Sequence, residues 1–305
     1  MLKKKLFKLF FALFSVLIIG LPACKNMDTF NKSIKIPFNP SSGSTYNFEI
    51  VNERKIEQEV EGRKMVSPYT SIINLSYDIM QVPSHNFVIT VGLDSFNVKP
   101  ENKKFDTKIL PSDTLHSSFK TMLDALKGTL FKLEVESTGK IKEINGYETF
   151  KRKVDSLNNY VSSNHDSELS SPLNIFNKTY FRNLFETILI PLPDVPTSKN
   201  SPWISFDSTG MDEPIKFTSV YTLTKVENGI AYIKTSSDID QEIKIINKYS
   251  VRMKGIQQGE IRVEESTGML LQKESNLKMR GNLKFNKMDI LLSVTINQKI
   301  KGRKL

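Results

Sequence analysis

The residue types that most often carry catalysis are scattered in this chain. Its 305 residues include three histidines, His85, His116 and His165, at spacings that match no metal-binding motif. The sequence has no Gly-x-Ser-x-Gly elbow for a nucleophilic serine and no phosphate-binding glycine loop. Asp207 and Asp212 could form a carboxylate pair for hydrolysis, but they also suit a solvated loop. We therefore predict no catalytic residue, no metal and no cofactor, in a protein that is not an enzyme.

The only cysteine, Cys24, indicates a different chemistry. Four lysines within residues 1–8 precede an apolar run, Leu9–Gly20, which ends just before Leu21–Cys24. This layout is typical of a secretory signal, and a cysteine directly after a small residue resembles a bacterial lipobox. The resemblance implies that residues 1–23 are removed and that Cys24 is lipidated. A transmembrane helix is disfavoured because a span needs about 20 apolar residues, and a signal cleaved without lipidation would leave an unpaired exported thiol.

The residues after Cys24 indicate where the lipid would hold the protein. Sorting rules taken from bacterial lipoproteins in general direct a chain with Lys25 after the cysteine to the outer membrane. Residues 24–44 lack the acidic cluster that marks export to the cell surface, so we expect a periplasm-facing lipoprotein of the cell envelope. The proline, serine and glycine content of this segment predicts a flexible tether.

Composition restricts the possible partners. Residues 1–23 hold four lysines and no acid, so the formal net charge of +10 falls to +6 without them. Because this charge is dispersed along the chain, nucleic-acid binding is not expected. A single cysteine excludes a disulfide within the chain, and 19 phenylalanines supply a hydrophobic core instead. The expected partners are the membrane, through Cys24, an apolar small molecule or lipid, and an outer-membrane protein.

Alternation of apolar and polar residues dominates both ends of the chain. It begins at Tyr46, Phe48 and Ile50 and returns in the last predicted strand, Met288–Ile300. A period of two predicts half-buried antiparallel strands, and sheets of long strands tend to curl. The predicted fold class is α+β and predominantly antiparallel β, with long curved meander sheets that form a half-barrel or barrel-like body. About three helices are expected in the middle of the chain.

Changes in composition divide the chain into segments. After the signal peptide (1–23) and the tether (24–44), residues 45–190 are predicted to form a β-meander followed by helices. A proline-rich connector, residues 191–203, leads to a C-terminal antiparallel sheet, residues 204–305. The alternative is that the two β-rich segments form one continuous domain.

Apolar stripes at helical spacing predict the helices. One begins after Ser112, one at Tyr147, and one extends from Phe176 to Ile188 and ends before Pro191. The third stripe is the widest, which indicates the most buried helix. Aromatic residues of this helix and of the chain after the connector could line an apolar cavity, or could simply fill a core. The predicted ligand-binding residues are Phe176, Tyr180, Phe181, Phe185, Trp203, Phe217 and Tyr221.

A short motif occurs in both β-rich segments. Residues 136–139 and 265–268 both read Glu-Ser-Thr-Gly between alternating apolar runs. Both are predicted to be hairpin loops, with Gly139 in the left-handed backbone conformation. The recurrence indicates either an internal duplication or two loops with the same favourable turn chemistry.

Several of these features together resemble an uncharacterised lipoprotein family of Bacteroidota-type bacteria, a domain of unknown function. The features are the lipobox, the hairpin within Phe131–Gly146, the proline loop before Trp203 and the later hairpin that contains Gly259 and Ser266–Gly268. That family has no established activity, so the resemblance assigns no catalytic residue. The expected curled sheet is also similar, in general terms, to periplasmic half-barrel lipoproteins that bind lipids.

Three functions follow as hypotheses. The first is a non-catalytic, lipid-anchored envelope lipoprotein that binds an apolar ligand or lipid in a cavity of the curved sheet. The second is a structural or accessory lipoprotein that docks an outer-membrane protein complex, with Met288–Ile300 as an exposed edge strand. The third is a periplasmic hydrolase, which needs convergent carboxylates that no sequence feature identifies.

Overall fold

The structure, a computed structural model, describes residues 33–82, 86–100, 124, 127–162, 176–209, 215–246, 249–285 and 288–305. The predicted signal peptide, Cys24, the three histidines and Asp212 lie outside these residues, and so does nearly all of the helix predicted after Ser112.

Eleven strands make up most of the described chain. Six of them are 16 to 19 residues long, whereas an ordinary strand has about five or six. Uninterrupted alternation of apolar and polar residues explains this length, since each strand buries one face throughout. The strands are β1 (Thr45–Val60), β2 (Arg63–Gln81), β3 (Phe87–Pro100), β4 (Leu130–Val135), β5 (Ile141–Asn145), β6 (Pro202–Thr209), β7 (Ile215–Glu227), β8 (Ile230–Ile246), β9 (Tyr249–Glu264), β10 (Leu270–Phe285) and β11 (Met288–Lys304).

All eleven strands belong to one antiparallel sheet. Its order is β5-β4-β3-β2-β1-β11-β10-β9-β8-β7-β6, so neighbours are consecutive in sequence except for β1 and β11. These two strands pair continuously from Tyr46 with Lys304 to Val60 with Ile290. The two predicted β-rich segments therefore join side by side in one large open sheet, and the predominantly antiparallel β fold is confirmed.

The position of the last strand differs from the prediction. β11 pairs with β1 on one side and with β10 on the other, so it lies at the centre of the sheet and not at an edge. In the described sheet the edge strands are β5 and β6. The alternation within β11 shows that one face is buried, but it carries no information about which strands lie beside it.

Two helices are described, α1 (Tyr147–Ser162) and α2 (Lys178–Glu186), where the second and third apolar stripes predict them. α2 begins after Asn177, whose side-chain oxygen accepts a hydrogen bond from the Tyr180 N–H at 2.8 Å. This bond satisfies one of the donors that the first turn leaves free. Within the described residues, no helix has both the length and the apolar character needed to cross a membrane.

Aromatic rings from both helices and from β4 form the centre of the main core. The ring centroid of Phe131 lies 4.5 Å from that of Phe181 and 5.3 Å from that of Phe185, and Phe150 lies 4.6 Å from Phe181. Tilted and edge-to-face contacts of this kind suit the quadrupoles of aromatic rings. We call this region the helix-covered core. Its sheet side includes Phe48, Ile50, Ile73, Leu75, Ile89, Leu133, Leu223, Ile233, Ile261 and Ile300.

The two Glu-Ser-Thr-Gly loops both contact the segment before β1. Gly139 (φ 84°) and Gly268 (φ 69°) adopt the left-handed backbone that favours glycine, as predicted for Gly139. A Cβ on Gly268 would collide with the carbonyl oxygen of Pro37, and one on Gly139 would touch the ring of Phe38. The β4–β5 and β9–β10 loops thus hold this segment against the core, where Ile36 is buried.

Candidate functional site

One face of the sheet carries the helix-covered core, and we call it the inner face. Cross-strand partners share a face and side chains alternate along each strand. The inner residues are therefore the even-numbered ones from Ile290 to Ile300 on β11 and the odd-numbered ones from Val251 to Val263 on β9. The helix-covered core occupies one end of this face, and the other end carries a separate apolar group.

This separate group, the second apolar cluster, is mainly aliphatic and sulfur-containing. It lies on β7 to β10, and each of its buried side chains is at most 8% exposed. All its described members come from strands, so the sheet itself supplies this apolar surface. The members are Phe217, Ile239, Val251, Met253, Leu277, Met279 and Leu283.

Two glycine–methionine pairs bring β9 and β10 close together within this cluster. Gly255 is the partner of Met279, and Gly281 is the partner of Met253. A Cβ on Gly281 would lie 2.5 Å from the Met253 sulfur, and one on Gly255 would collide with the backbone carbonyl of Lys278. Glycine in a strand interior marks a bend or a close backbone approach. Each methionine therefore occupies the space that a side chain on the facing strand would need.

At this end of the inner face, the central strand β11 is less buried than its neighbour β10. Ile290, Leu292, Val294 and Ile296 of β11 pack against the second apolar cluster but are only half-buried. We call these four side chains the β11 strip. It extends for about 20 Å, since a strand rises about 3.4 Å per residue. Ile56 of β1 is the sheet partner of Val294 and widens this partly open apolar surface.

Two mainly polar rows separate the helix-covered core from the second apolar cluster. Asn52 and Ser71 are sheet partners, each 6% exposed, and Gln298 Nε2 donates to Asn52 Oδ1 at 2.9 Å. Farther along the rows, the hydroxyl oxygens of Ser219 and Ser237 are 2.7 Å apart. These bonds offset the cost of burying polar groups. We call the rows the polar belt, with members Asn52, Arg54, Tyr69, Ser71, Ser219, Thr235, Ser237, Gln257 and Gln298.

Arg54 places a guanidinium in the polar belt beside the β11 strip. Its sheet partners are Ile296 of the strip and Tyr69 of β2. Nη1 donates to the Tyr69 hydroxyl at 3.3 Å, whereas Nε is buried and has no hydrogen-bond partner. No carboxylate among the described residues lies within ion-pair distance of Arg54. A buried donor without an acceptor is destabilising, so this guanidinium is suited to bind an anionic ligand, to which it would donate.

Tyr180 of α2 adds a hydroxyl close to the charge of Arg54. Burial raises the pKa of Tyr180 to about 12, and the positive charge of Arg54 opposes this effect more weakly. The hydroxyl therefore stays protonated at neutral pH and can donate a hydrogen bond.

Four of the predicted ligand-binding residues lie together, in a filled interior. Phe176, Tyr180, Phe181 and Phe185 all belong to or pack on the helix-covered core. The first three of them line a cavity of about 10 Å³, which is about the space that one water molecule needs. Their rings thus pack against one another, and ligand binding by these four residues stays a prediction.

Tyr221 also belongs to the helix-covered core and Trp203 packs on it, but neither lines this cavity. Trp203 and Tyr221 stack with ring centroids 5.6 Å apart, and Trp203 Nε1 donates to the Pro191 carbonyl at 2.9 Å. This bond fixes the first residue of the proline-rich connector to the sheet. Phe217 belongs to the second apolar cluster. The seven residues therefore do not share one cavity in the described structure.

The described residues offer little support for a metal or carboxylate site. Asp207 lies on edge strand β6 as the sheet partner of Phe217, and Asp212 lies outside the described residues. In the part of the chain that the structure describes, no group of histidine, cysteine and acidic residues could hold a metal ion.

A polar groove of about 740 Å³ crosses the outer face from β7 to β1. Within it, Asn276 Nδ2 donates to Asn297 Oδ1, and Asn297 Nδ2 donates to Glu53 Oε2 at 3.4 Å. Positively charged lysines and negatively charged glutamates lie close to one another beside these amides. Because these groups can pair with one another, the groove has the character of a solvated sheet surface.

Arg54 belongs to no catalytic motif, but its position in the sequence already indicates that it faces the interior. The alternation of Tyr46, Phe48 and Ile50 continues on the same face through Asn52 to Arg54. A charged residue in phase with an apolar face is unusual, since an unpaired buried charge is costly. Such a residue identifies a candidate site even where no motif is present.

Comparisons with known proteins are limited to a family and to distant folds. A family of unknown function (DUF6263) matches residues 84–270. No curated protein matches the chain. Among solved structures, one of lipovitellin, described for its lipid–protein interactions, is 10% identical to this chain with a TM-score of 0.45. The match covers 86% of this chain and 25% of the lipovitellin chain, so this chain spans a quarter of lipovitellin. An outer membrane channel from Pseudomonas putida F1 is 8% identical with a TM-score of 0.24, over 87% of this chain and 98% of its own.

Proposed function

The chain belongs to the DUF6263 family of unknown function, and we propose that it is a non-catalytic, lipid-anchored envelope lipoprotein that binds an apolar ligand or lipid on its inner face. The observation that carries the proposal is the β11 strip. Four consecutive inner-face residues of the central strand are apolar, yet they are only half-buried. An elongated apolar ligand lying along the strip would complete their burial.

The energetics of such binding are favourable for a lipid tail. Each methylene that leaves water contributes about 0.8 kcal/mol, and the strip extends for about 20 Å along the strand. The neighbouring Met253 and Met279 have flexible, polarizable side chains that adapt to ligands of different shape. The site differs from the predicted cavity under α2, because it lies on the sheet beyond the helices.

The first test is native mass spectrometry of the full chain, produced in a bacterial envelope and followed by organic extraction. The expected result is a mature chain that begins at an acylated Cys24 and retains about one extractable apolar ligand. Extraction leaves the covalent lipid in place, so the anchor and the bound ligand are measured separately. Cys24→Ser is expected to abolish acylation only.

A matched pair of variants on β11 assigns the ligand to the inner face. Leu292→Asn changes the strip, whereas Leu291→Asn makes the same change on the outer face, where Leu291 is 48% exposed. We expect Leu292→Asn to lose most of the bound ligand and Leu291→Asn to retain it. A wild-type chain without a ligand, or equal retention by both variants, would contradict the proposal.

An accessory role in docking an outer-membrane protein is the second candidate. It is favoured by exposed apolar side chains on the edge strand β6 and on its neighbour β7. Ile204 is 65% exposed, and its sheet partner Val220 is 38% exposed. Cross-linking of the full chain in its native envelope should then capture one discrete partner. Ile204→Lys should remove that adduct, while the matched change Leu130→Lys on β4 should not.

A further inference from the structure

The inner-face neighbours of Arg54 in the sheet are apolar or neutral side chains. Arg54 lies on the inner face of β1 between Asn52 and Ile56. The nearest acids in the sequence are Glu53 and, farther away, Glu57. Both are odd-numbered residues of β1, so their side chains lie on the outer face. Glu57 forms ion pairs with lysines there. The strand thus separates the guanidinium from its nearest acids.

The hydrogen-bond donors of Arg54 are only partly used. A guanidinium offers five N–H donors in a planar fork that suits the two oxygens of a carboxylate or phosphate. Nη1 donates to the Tyr69 hydroxyl, whose ring also lies under the guanidinium at 5.9 Å. Nε is buried without an acceptor. The Tyr69 hydroxyl accepts from Arg54, and its own O–H can still donate a hydrogen bond to an anion beside the guanidinium.

The charge and the apolar strip are adjacent. Arg54 is the direct sheet partner of Ile296, the last residue of the β11 strip, and the strip leads away from it towards Ile290. A ligand whose tail lies along the strip would therefore place its head beside Arg54. The polar belt around it, with Asn52, Ser71 and Gln298, supplies neutral hydrogen-bond partners for such a head.

We infer that Arg54 and Tyr69 bind the anionic oxygen headgroup, carboxylate or phosphate, of an amphiphile whose tail lies along the β11 strip. The inference rests on the proposed function, because it assigns the headgroup of the same ligand. It also selects among apolar ligands, since a hydrocarbon offers Arg54 Nε no acceptor and an uncharged oxygen accepts a weaker hydrogen bond than an anionic one.

A competition experiment with three amphiphiles of identical tail tests the headgroup. The full chain in a mild non-ionic detergent is stripped of bound lipid and mixed with palmitate, hexadecyl phosphate and hexadecanol, and native mass spectrometry measures the bound ratio. Charge-assisted hydrogen bonds predict a preference of about tenfold or more for an anionic head over the alcohol. Whether palmitate or hexadecyl phosphate dominates shows which anion the site takes.

Variants connect the preference to Arg54. Arg54→Gln should reduce the preference to less than about threefold while hexadecanol still binds, and Arg54→Lys should retain an intermediate preference. Arg280→Gln makes the same change at an exposed position of β10 on the outer face and should behave as wild type.

The outcomes separate this inference from the proposed function. Equal binding of all three amphiphiles by the wild type overturns the headgroup assignment and leaves apolar binding intact. An anion preference that Arg54→Gln retains also overturns it. If none of the three binds, the proposed function fails and the inference fails with it.

Discussion

The two ends of the inner face achieve burial in different ways. At one end, α1 and α2 cover the sheet, and rings such as Phe131 and Phe181 fill the space between them. At the other end, the second apolar cluster consists of strand residues, and its margin on β11 stays partly open. The first region is a closed core, whereas the second is an apolar surface with a partly open margin.

The difference shows that apolar residues on the same face of one strand can have different roles. Ile300 and Ile296 lie on the same face of β11, four residues apart. Ile300 is fully buried in the helix-covered core, whereas Ile296 is half-buried beside Arg54. What covers each residue, and not the residue type, determines whether it stabilises the fold or remains accessible to a ligand.

The largest expected effect comes from comparing these two isoleucines. Ile300→Ala should lower the free energy of unfolding by about 2–5 kcal/mol, because it opens a cavity in a closed core. Ile296→Ala should lower it by about 1 kcal/mol in ligand-free protein, because that side chain is already partly exposed to solvent. Urea denaturation of the full chain measures both values. Equal losses would mean that the β11 strip is packed as closely as the core.

A smaller effect is expected where β9 and β10 approach each other. Gly255→Ala introduces a Cβ that collides with the backbone carbonyl of Lys278, so the strands must shift. The free energy of unfolding should fall by about 1–3 kcal/mol. Lys278→Ala, which changes an exposed side chain at the same place, should change it by less than about 0.5 kcal/mol. If Gly255→Ala is as stable as wild type, the close approach of the strands does not limit the second cluster.

The smallest effect should come from the outer face behind the second cluster. Arg252 Nε and Nη2 donate to the two carboxylate oxygens of Asp240, and this hydrogen bonding lowers the pKa of Asp240 below its ordinary value. Because the pKa of Asp240 is lower in the folded state, its ionised carboxylate stabilises the fold. This stabilisation is complete above the ordinary aspartate pKa and is lost as the pH falls through the folded-state pKa.

Asp240→Asn should therefore remove a small part of the acid dependence of stability and change little at neutral pH, since exposed ion pairs contribute little. Thermal melts at several acidic pH values compare it with Asp238→Asn, a control on the same strand. An Asp240→Asn chain whose melting temperature depends on acidity as in wild type would show that the ion pair is too weak to matter.

The sequence predicted local structure well. The alternation that begins at Tyr46 predicts the strands, the apolar stripe from Tyr147 predicts α1, and Gly139 predicts its hairpin loop. Each signal depends on neighbouring residues alone. The sequence did not predict that the last strand lies at the centre of the sheet, because the pairing of Tyr46 with Lys304 joins the two ends of the chain. The lipidation of Cys24 stays a prediction, since it lies outside the described residues.

The candidate site divides in the same way. The sequence by itself determined that β11 has an apolar face and that Arg54 is in phase with the inner residues of β1, because the pleat of a strand fixes side-chain direction every second residue. Only the tertiary structure decided that these two features are adjacent, that Tyr69 accepts a hydrogen bond from the guanidinium, and that the β11 strip is half-buried whereas Ile300 is fully buried. Those relations arise from strand register and packing between distant segments, which periodicity along the chain cannot specify.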